Sequence, residues 1–182
     1  MKIIAGDKKG LHLKSLKGED TRPTSGKIKE SMFNMIGPFF KGGVVVELFG
    51  GSGALSLEAL SRGVDEAFIF ENNRAACAVI RENVEKCRYE DVVHIEQTDA
   101  RNALRYLSKT GKVIDYLFLD PPYAKEKFYE LAQTIVDADL LSDSAVIVCE
   151  HDKKTELQEA FGDFKLRKYN VYGNIAISIY EK

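Results

Sequence analysis

The chain has 182 residues, 45% of them hydrophobic and 30% charged, with a net charge of -2. That is enough apolar side chain for one compact domain with a small appendage, and too acidic a balance for a chain that binds polyanions along its whole length. Three scattered cysteines (Cys77, Cys87, Cys149) offer neither a disulfide framework nor a metal-type spacing, the N-terminus is too short in apolar residues for a signal peptide, and no apolar run is long enough to span a membrane. The expectation is a soluble cytoplasmic protein, with a monomer as the default, and with no metal and no membrane among its partners.

Charge is unevenly placed. Residues 1–30 hold eight Lys/Arg against four acids, a local charge of +4 in a chain of -2, so the remainder carries -6. A basic arm on an acidic body suits an anionic partner, although a solvated Lys-rich hairpin has the same composition. Residues 2–16 read as strand, turn, strand, with Gly6 and Gly10 between short apolar runs. "TRPT" at 21–24 can start a helix whose apolar face is Ile28, Met32, Phe33, Met35 and Ile36, and Gly37-Pro38 stops it. We divide the chain into an extension over 1–40 and a main domain over 41–182.

From residue 44 strands and helices alternate. "VVVELF" (44–49), "EAFIFE" (66–71), "DVVHIEQTD" (91–99), "VIDYLFLD" (113–120) and "SAVIVCE" (144–150) read as strands. Helices fill the gaps, at 53–63, through Ala76 to Val84, through Leu104 and Leu107, and near 126–138. A short helix is expected near 153–160, and Gly173-Asn174 turns two final strands into a hairpin. Nearly continuous apolar strands in repeated β-α units imply a mostly parallel seven-stranded sheet with helices on both faces and an antiparallel hairpin at its end.

In such folds ligands bind beyond the carboxyl ends of the strands. Four successive strands end at or next to an acid: Glu47, Glu71, Asp99 and Asp120. "ELFGGSGAL" is a strand, a glycine turn and a helix start, in which Gly51 and Gly53 let the backbone approach a ligand. Glu71 follows Gly51 by twenty residues, about where a ribose-binding acid stands in a nucleotide fold. Phe49 in the turn and Asn72 beside Glu71 are taken with the cofactor-binding set. A rim of carboxylates repels pyrophosphate but suits S-adenosylmethionine, which offers ribose hydroxyls, an adenine amine, an amino-acid head and a sulfonium. A dehydrogenase ranks last, because no hydride-transfer site is visible.

"DPPY" (120–123) then has a chemical use. An aromatic exocyclic amine is a poor nucleophile, since its lone pair is delocalised into the ring. Two acceptors holding its two N–H bonds aim that pair at a methyl group. Asp120 supplies one acceptor and the carbonyl of Pro121 the other; Pro122 restricts Pro121, and Tyr123 gives the base a face to stack on. Asp120 also lies where positive charge develops. An Asx-Pro turn with Tyr123 as packing is the bland alternative. His12, His94 and His151 have no part in this chemistry.

"MKIIAGDKKGLHL", "TRPTSGKIKESMFNMI", "LFGGSGALSLEALSRG" and "LDPPY" together resemble the bacterial small-subunit (16S) ribosomal RNA guanine-N2 methyltransferases, the RsmD-like family, over nearly the whole chain. The resemblance implies a Rossmann-like class I S-adenosylmethionine-dependent methyltransferase with a small N-terminal hairpin and helix. It implies that Glu71 binds the ribose hydroxyls, Asp99 the adenine amine and Ala100 N–H the adenine ring, and that Gly51 and Gly53 line the methionine portion. Asp120, Pro121 and Tyr123 would hold the guanine, and Arg22 and Thr24 would border it. Lys8 and Lys9 in the arm would grip phosphates of ribosomal RNA, naked or as an assembled particle, while the target base is flipped outward. Glu47, Gly50 and Ser56 stand where the family often has Asp, Ala and Gly. The same chemistry on a DNA base or a protein glutamine is an alternative, as is a non-catalytic RNA-binding assembly factor.

Overall fold

In the computed structural model, residues 1–16, 26–121 and 126–182 are described. The "TRPT" segment therefore lies outside the described residues, and the first helix, α1, is Gly26–Ile36. β1 (Val44–Leu48), α2 (Ala54–Ser61), β2 (Glu66–Glu71), α3 (Arg74–Cys87) and β3 (Val93–Gln97) follow. A short 3₁₀ turn (Ala100–Asn102) leads into α4 (Ala103–Thr110) and β4 (Ile114–Leu119); a second one (Glu126–Tyr129) leads into α5 (Glu130–Asp137) and β5 (Leu141–Asp152). The chain ends with β6 (Ala160–Phe161), β7 (Phe164–Tyr172) and β8 (Ile175–Glu181).

The strands form one sheet in the order β3-β2-β1-β4-β5-β8-β7-β6. β1 to β5 pair in parallel, while β8 inserts antiparallel between β5 and β7. Apolar side chains alternate between two cores. Val45, Ile69, Phe118, Val148 and Ile177 pack with α1, α2 and the N-terminal segment; Val46, Phe70, Leu117, Leu119 and Ile147 pack on the other face. The period of two explains why strands buried on both faces read as continuous apolar runs. No helix among the described residues is long and apolar enough to cross a membrane.

The fold corrects the expected strand count. Residues 153–160 are not helical, and among the described residues the sheet has eight strands, because Ala160–Phe161 pairs with Phe164–Lys165 around Gly162, which adopts φ +58°. Burying Phe161 against Tyr180, 4.6 Å between ring centroids, outweighs the local helix preference. The N-terminal residues do fold back on themselves, but with a single bridge, Lys2 to His12, and hydrogen bonds such as Ile3 N–H to Leu11 O at 2.9 Å. Ile3, Leu13, Met32 and Phe33 are buried in the first of the two cores, so the N-terminal segment and α1 complete that layer.

A buried ionic cluster fastens this layer. α2 is buried on every side, so each of its polar groups needs a protein partner. Glu58 accepts from the main-chain N–H of Ile4 (2.9 Å) and Ala5 (3.2 Å), and pairs with Lys29 at 3.2 Å and Arg62 at 2.7 Å. Lys29, wholly buried, also donates to Lys2 O at 2.9 Å; desolvation lowers its pKa and Glu58 opposes that shift. Glu58→Ala leaves two buried cations and two N–H groups without this carboxylate. We expect a stability loss of roughly 3–5 kcal/mol, read as a lower urea midpoint at unchanged m-value.

Candidate active site

The site is built on the carboxyl ends of β1, β2 and β4 and the loops that leave them. After β1 the chain turns sharply: Phe49 adopts φ +63°, Gly51 +59° and Gly53 +79°. A phenylalanine in the left-handed region costs on the order of 1–3 kcal/mol and is held only where its surroundings over-determine it. Here Phe128, from the 3₁₀ turn after the Asp-Pro-Pro segment, packs edge-on against it at 5.1 Å. The glycine turn and the residues beyond β4 are thereby brought side by side. A Cβ at Gly51 would meet only open space, so this stretch of backbone is free to face a ligand. A Cβ at Gly50 would come within 2.4 Å of Ile69 Cγ2, so that glycine answers to packing.

Glu71 closes the turn from the next strand. Its Oε1 accepts from Gly51 N–H at 2.9 Å and its Oε2 from Asn73 N–H at 2.8 Å, while Asn73 caps α3 through Ala76 N–H. The twenty-residue spacing is thus a direct contact in space. Asn72 beside it is exposed. Asp99 caps the 3₁₀ turn that Ala100 opens. Its Oδ1 accepts from Arg101 N–H (2.8 Å) and Nε (2.9 Å), and its Oδ2 from Arg101 Nη2 (2.9 Å). These bonds from Arg101 hold the Asp99 carboxyl below the usual carboxylate range. Oδ2 retains a lone pair for a further donor.

Glu47 sits deeper, at the penultimate position of β1, and is only 4% exposed. One oxygen takes both donors of Ser56, N–H at 3.1 Å and Oγ–H at 2.6 Å. Burial pushes its pKa up to about 7 against those hydrogen bonds, with Glu71 adding to the rise and Lys29 opposing it. Two of the three positions at which this chain departs from the family pattern are therefore bonded to each other: the longer acid reaches α2, and a serine there donates to it.

Asp120 follows β4 directly. It keeps a partly exposed edge but is otherwise surrounded by protein, and desolvation, then the charges of Glu150 and Glu47, raise its pKa well above the usual value. Pro121 beside it is buried. Two residues upstream, Val45, Phe118 and Val148 all belong to the core on the α1–α2 side. By strand alternation Glu47, Asp120 and Glu150 therefore project to that same side, at the ends of three neighbouring strands. Glu150 escaped the sequence reading, although it closes the apolar run of 144–150 as the other acids close theirs. Pro122, Tyr123, Arg22 and Thr24 lie outside the described residues. Lys8 and Lys9 are not at this rim. Lys8 N–H bonds Ser61 Oγ at 2.9 Å, at the far end of α2, about 12 Å down that helix at 1.5 Å per residue. Both lysines line an open basic hollow of about 430 Å³ with Lys86 and Arg88. His94 pairs with Glu66, and His151 bonds Ser178. Among the described residues no cluster of His, Cys, Asp or Glu could hold a metal.

A sheet in this order, with a glycine turn after its first strand and acids along its carboxyl rim, defines the class I S-adenosylmethionine-dependent methyltransferase fold. The chain belongs to the RsmD-like family: the family model described as "Conserved hypothetical protein 95" matches residues 1–181. It is 38% identical over 182 residues to YlbH of Bacillus subtilis, covering all of this chain and 99% of that protein. It is 28% identical to Ribosomal RNA small subunit methyltransferase D of Escherichia coli K12, over the whole chain and 90% of the relative. The solved structure of Escherichia coli yhhF superposes with a TM-score of 0.85 at 27% identity, covering 100% of this chain and 97% of the other.

Proposed function

We propose that this protein transfers a methyl group from S-adenosylmethionine to the exocyclic N2 amine of a guanine in small-subunit ribosomal RNA. The observation that carries the reading is Asp120: a desolvated carboxyl at the end of β4, on the rim that the glycine turn and Glu71 also form. The name of the Escherichia coli relative supports ribosomal RNA as the substrate class. Guanine N2 rests on the family resemblance.

S-adenosylmethionine, when bound, supplies an electrophilic methyl group on a positively charged sulfur. Glu71 would take the ribose hydroxyls with the lone pairs left by Gly51 and Asn73, Asp99 would take the adenine amine beside Ala100, and Gly51, Gly53, Phe49, Asn72 and Glu47 would hold the remainder. Asp120 and the Pro121 carbonyl accept the two N–H bonds of the guanine amine and turn its lone pair toward the methyl carbon. With that methyl group in place, the nitrogen pair would form the N–C bond and the C–S pair would stay with sulfur. One N–H proton then passes to Asp120 and on to water. Pro122 and Tyr123 flank the base, Arg22 and Thr24 border it, and Lys8 and Lys9 hold phosphates farther along the RNA. The protein works as a cytoplasmic monomer, with residues 1–40 as the RNA-contacting extension and 41–182 as the cofactor-binding domain.

The test is transfer of tritiated methyl groups to ribosomal RNA, naked and in small-subunit particles, from a strain lacking this enzyme. Nucleoside digestion should yield N2-methylguanosine. Label in DNA or in a protein glutamine instead overturns the reading.

A further inference from the structure

The rim carries one more acid than the reaction uses. Glu150 is only 7% exposed, at the carboxyl end of β5. The parallel register pairs Leu119 with Cys149, so Asp120 and Glu150 are the next residues on neighbouring strands, about 4.8 Å apart by sheet spacing. The Glu150 carboxyl is, after desolvation, the strongest influence on Asp120. Glu150 is also rigidly placed. Its carbonyl accepts from the buried Tyr129 hydroxyl at 2.6 Å, and its backbone pairs with Ile177 on β8. Two carboxyls on adjacent strands in a desolvated setting cannot both be ionised at little cost; one proton between them relieves the repulsion and supplies a donor for a hydrogen bond.

We propose that Glu150 is a positioning residue for methyl transfer: it carries the single proton of the pair, donates it to one oxygen of Asp120, and leaves the other oxygen as an oriented, singly charged acceptor for the substrate amine. This rests on the reading of Asp120 as the amine acceptor. A lone aspartate could rotate about χ2 and offer either oxygen at varying angles. Fixed through one oxygen, it presents the other at a constant direction, and the pair still has room for the proton that the methylated amine sheds.

The groups bearing on the pair come from each neighbouring element. Glu47 faces it from β1 and disfavours a second negative charge. Tyr129 stands beside it from the 3₁₀ turn, its hydroxyl kept protonated by burial and by the acids nearby. Lys29 of α1 acts on Glu47, and Lys168 of β7 is bonded to Met35 O at 2.6 Å. Across β8 the partner is the apolar Ile177. Raising the pH therefore strips the shared proton only above the usual carboxylate range, and the oriented acceptor is lost with it.

The experiment compares Glu150→Ala and Glu150→Gln with the wild type, in kcat against pH and in KM for S-adenosylmethionine. Glu150→Ala is expected to lower kcat roughly 10- to 100-fold at nearly unchanged KM. Glu150→Gln, whose amide still donates but does not ionise, recovers most of that loss and flattens the alkaline fall in kcat. In parallel, carbon-13 carboxyl titration of the cofactor-free protein, assigned by difference with Asp120→Asn, should show the Asp120–Glu150 pair shedding its shared proton above the usual carboxylate range, a step that the Asp120 signal also reports and that Glu150→Gln shifts. Coincident pH profiles for wild type and Glu150→Gln, or an Asp120 titration that Glu150→Gln does not move, overturn the inference. A wild type that labels no RNA overturns the proposed function instead, and the carboxyl titration, which needs no substrate, then decides the pairing by itself.

Discussion

Asp120→Ala is expected to lose turnover by roughly 10²–10³ while still binding S-adenosylmethionine. Removing the carboxyl takes away an acceptor for one N–H of the amine, the negative charge where nitrogen becomes positive, and the acceptor of the departing proton. None of these contributes to holding the ribose or adenine, which the proposed function gives to Glu71 on β2 and Asp99 beyond β3. The loss should therefore appear in single-turnover methyl transfer and not in calorimetric titration with the cofactor. Asp120→Asn refines the result. Its amide keeps one oxygen acceptor but cannot take up the proton, and it should stay close to the alanine rate if charge and proton uptake dominate. The alanine protein should also be more stable at pH 8, since it no longer buries a carboxyl whose ionisation burial opposes. Wild-type turnover in Asp120→Ala would remove the basis of the mechanism.

What could be read beforehand was set by physics that is local in sequence. Parallel strands buried on both faces need unbroken apolar runs, so Val44–Leu48, Glu66–Glu71 and Ile114–Leu119 stood out, and the acids ending them marked the rim. Gly51 and Glu71 lay at a spacing that the folded chain converts into a 2.9 Å hydrogen bond. Long-range contacts were not legible in the same way. Ala160–Phe161 becomes a strand only because Phe164 and Tyr180 offer it a hydrophobic partner. The bond from Ser56 to Glu47 depends on how α2 lies over β1. Glu150 carried the same signal as Asp120, an acid at a strand end, but its neighbourhood with Asp120 follows from the β4–β5 register, and a sequence does not display register. The basic arm divides in the same manner. Its charge was plain, yet Lys8 and Lys9 go to the distal end of α2 because Asp7 N–H and Lys8 N–H bond Ser61 there.

Glu47→Gln is expected to stabilise the cofactor-free protein at alkaline pH and to weaken S-adenosylmethionine binding, two effects with one cause. The folded protein holds the Glu47 proton up to about pH 7, against a usual value of 4.5. Below about pH 4.5 both folded and unfolded chains are protonated and Glu47 costs nothing. Between 4.5 and 7 the unfolded chain has released the proton that the folded chain retains, so stability falls as pH rises through this window. Above about 7 both are ionised and the full penalty applies, up to about 3 kcal/mol for a shift of this size at 1.36 kcal/mol per pKa unit. Glutamine does not ionise, and its carbonyl can still accept both Ser56 donors, so the variant should gain most of that energy at pH 8 and almost none at pH 4.5. Denaturant titrations at the two pH values measure the difference. On the proposed function, the cofactor would read the same acid from the other side. Its sulfonium and ammonium favour the ionised carboxylate, so wild-type affinity should strengthen as pH rises from 5 to 7, with proton release detectable as a buffer-dependent binding enthalpy. Glu47→Gln should bind more weakly and show neither the pH trend nor the proton. A variant that gains stability at pH 8 yet keeps wild-type affinity and proton release would place Glu47 outside the reach of the cofactor's positive charge and leave it a purely structural partner of Ser56.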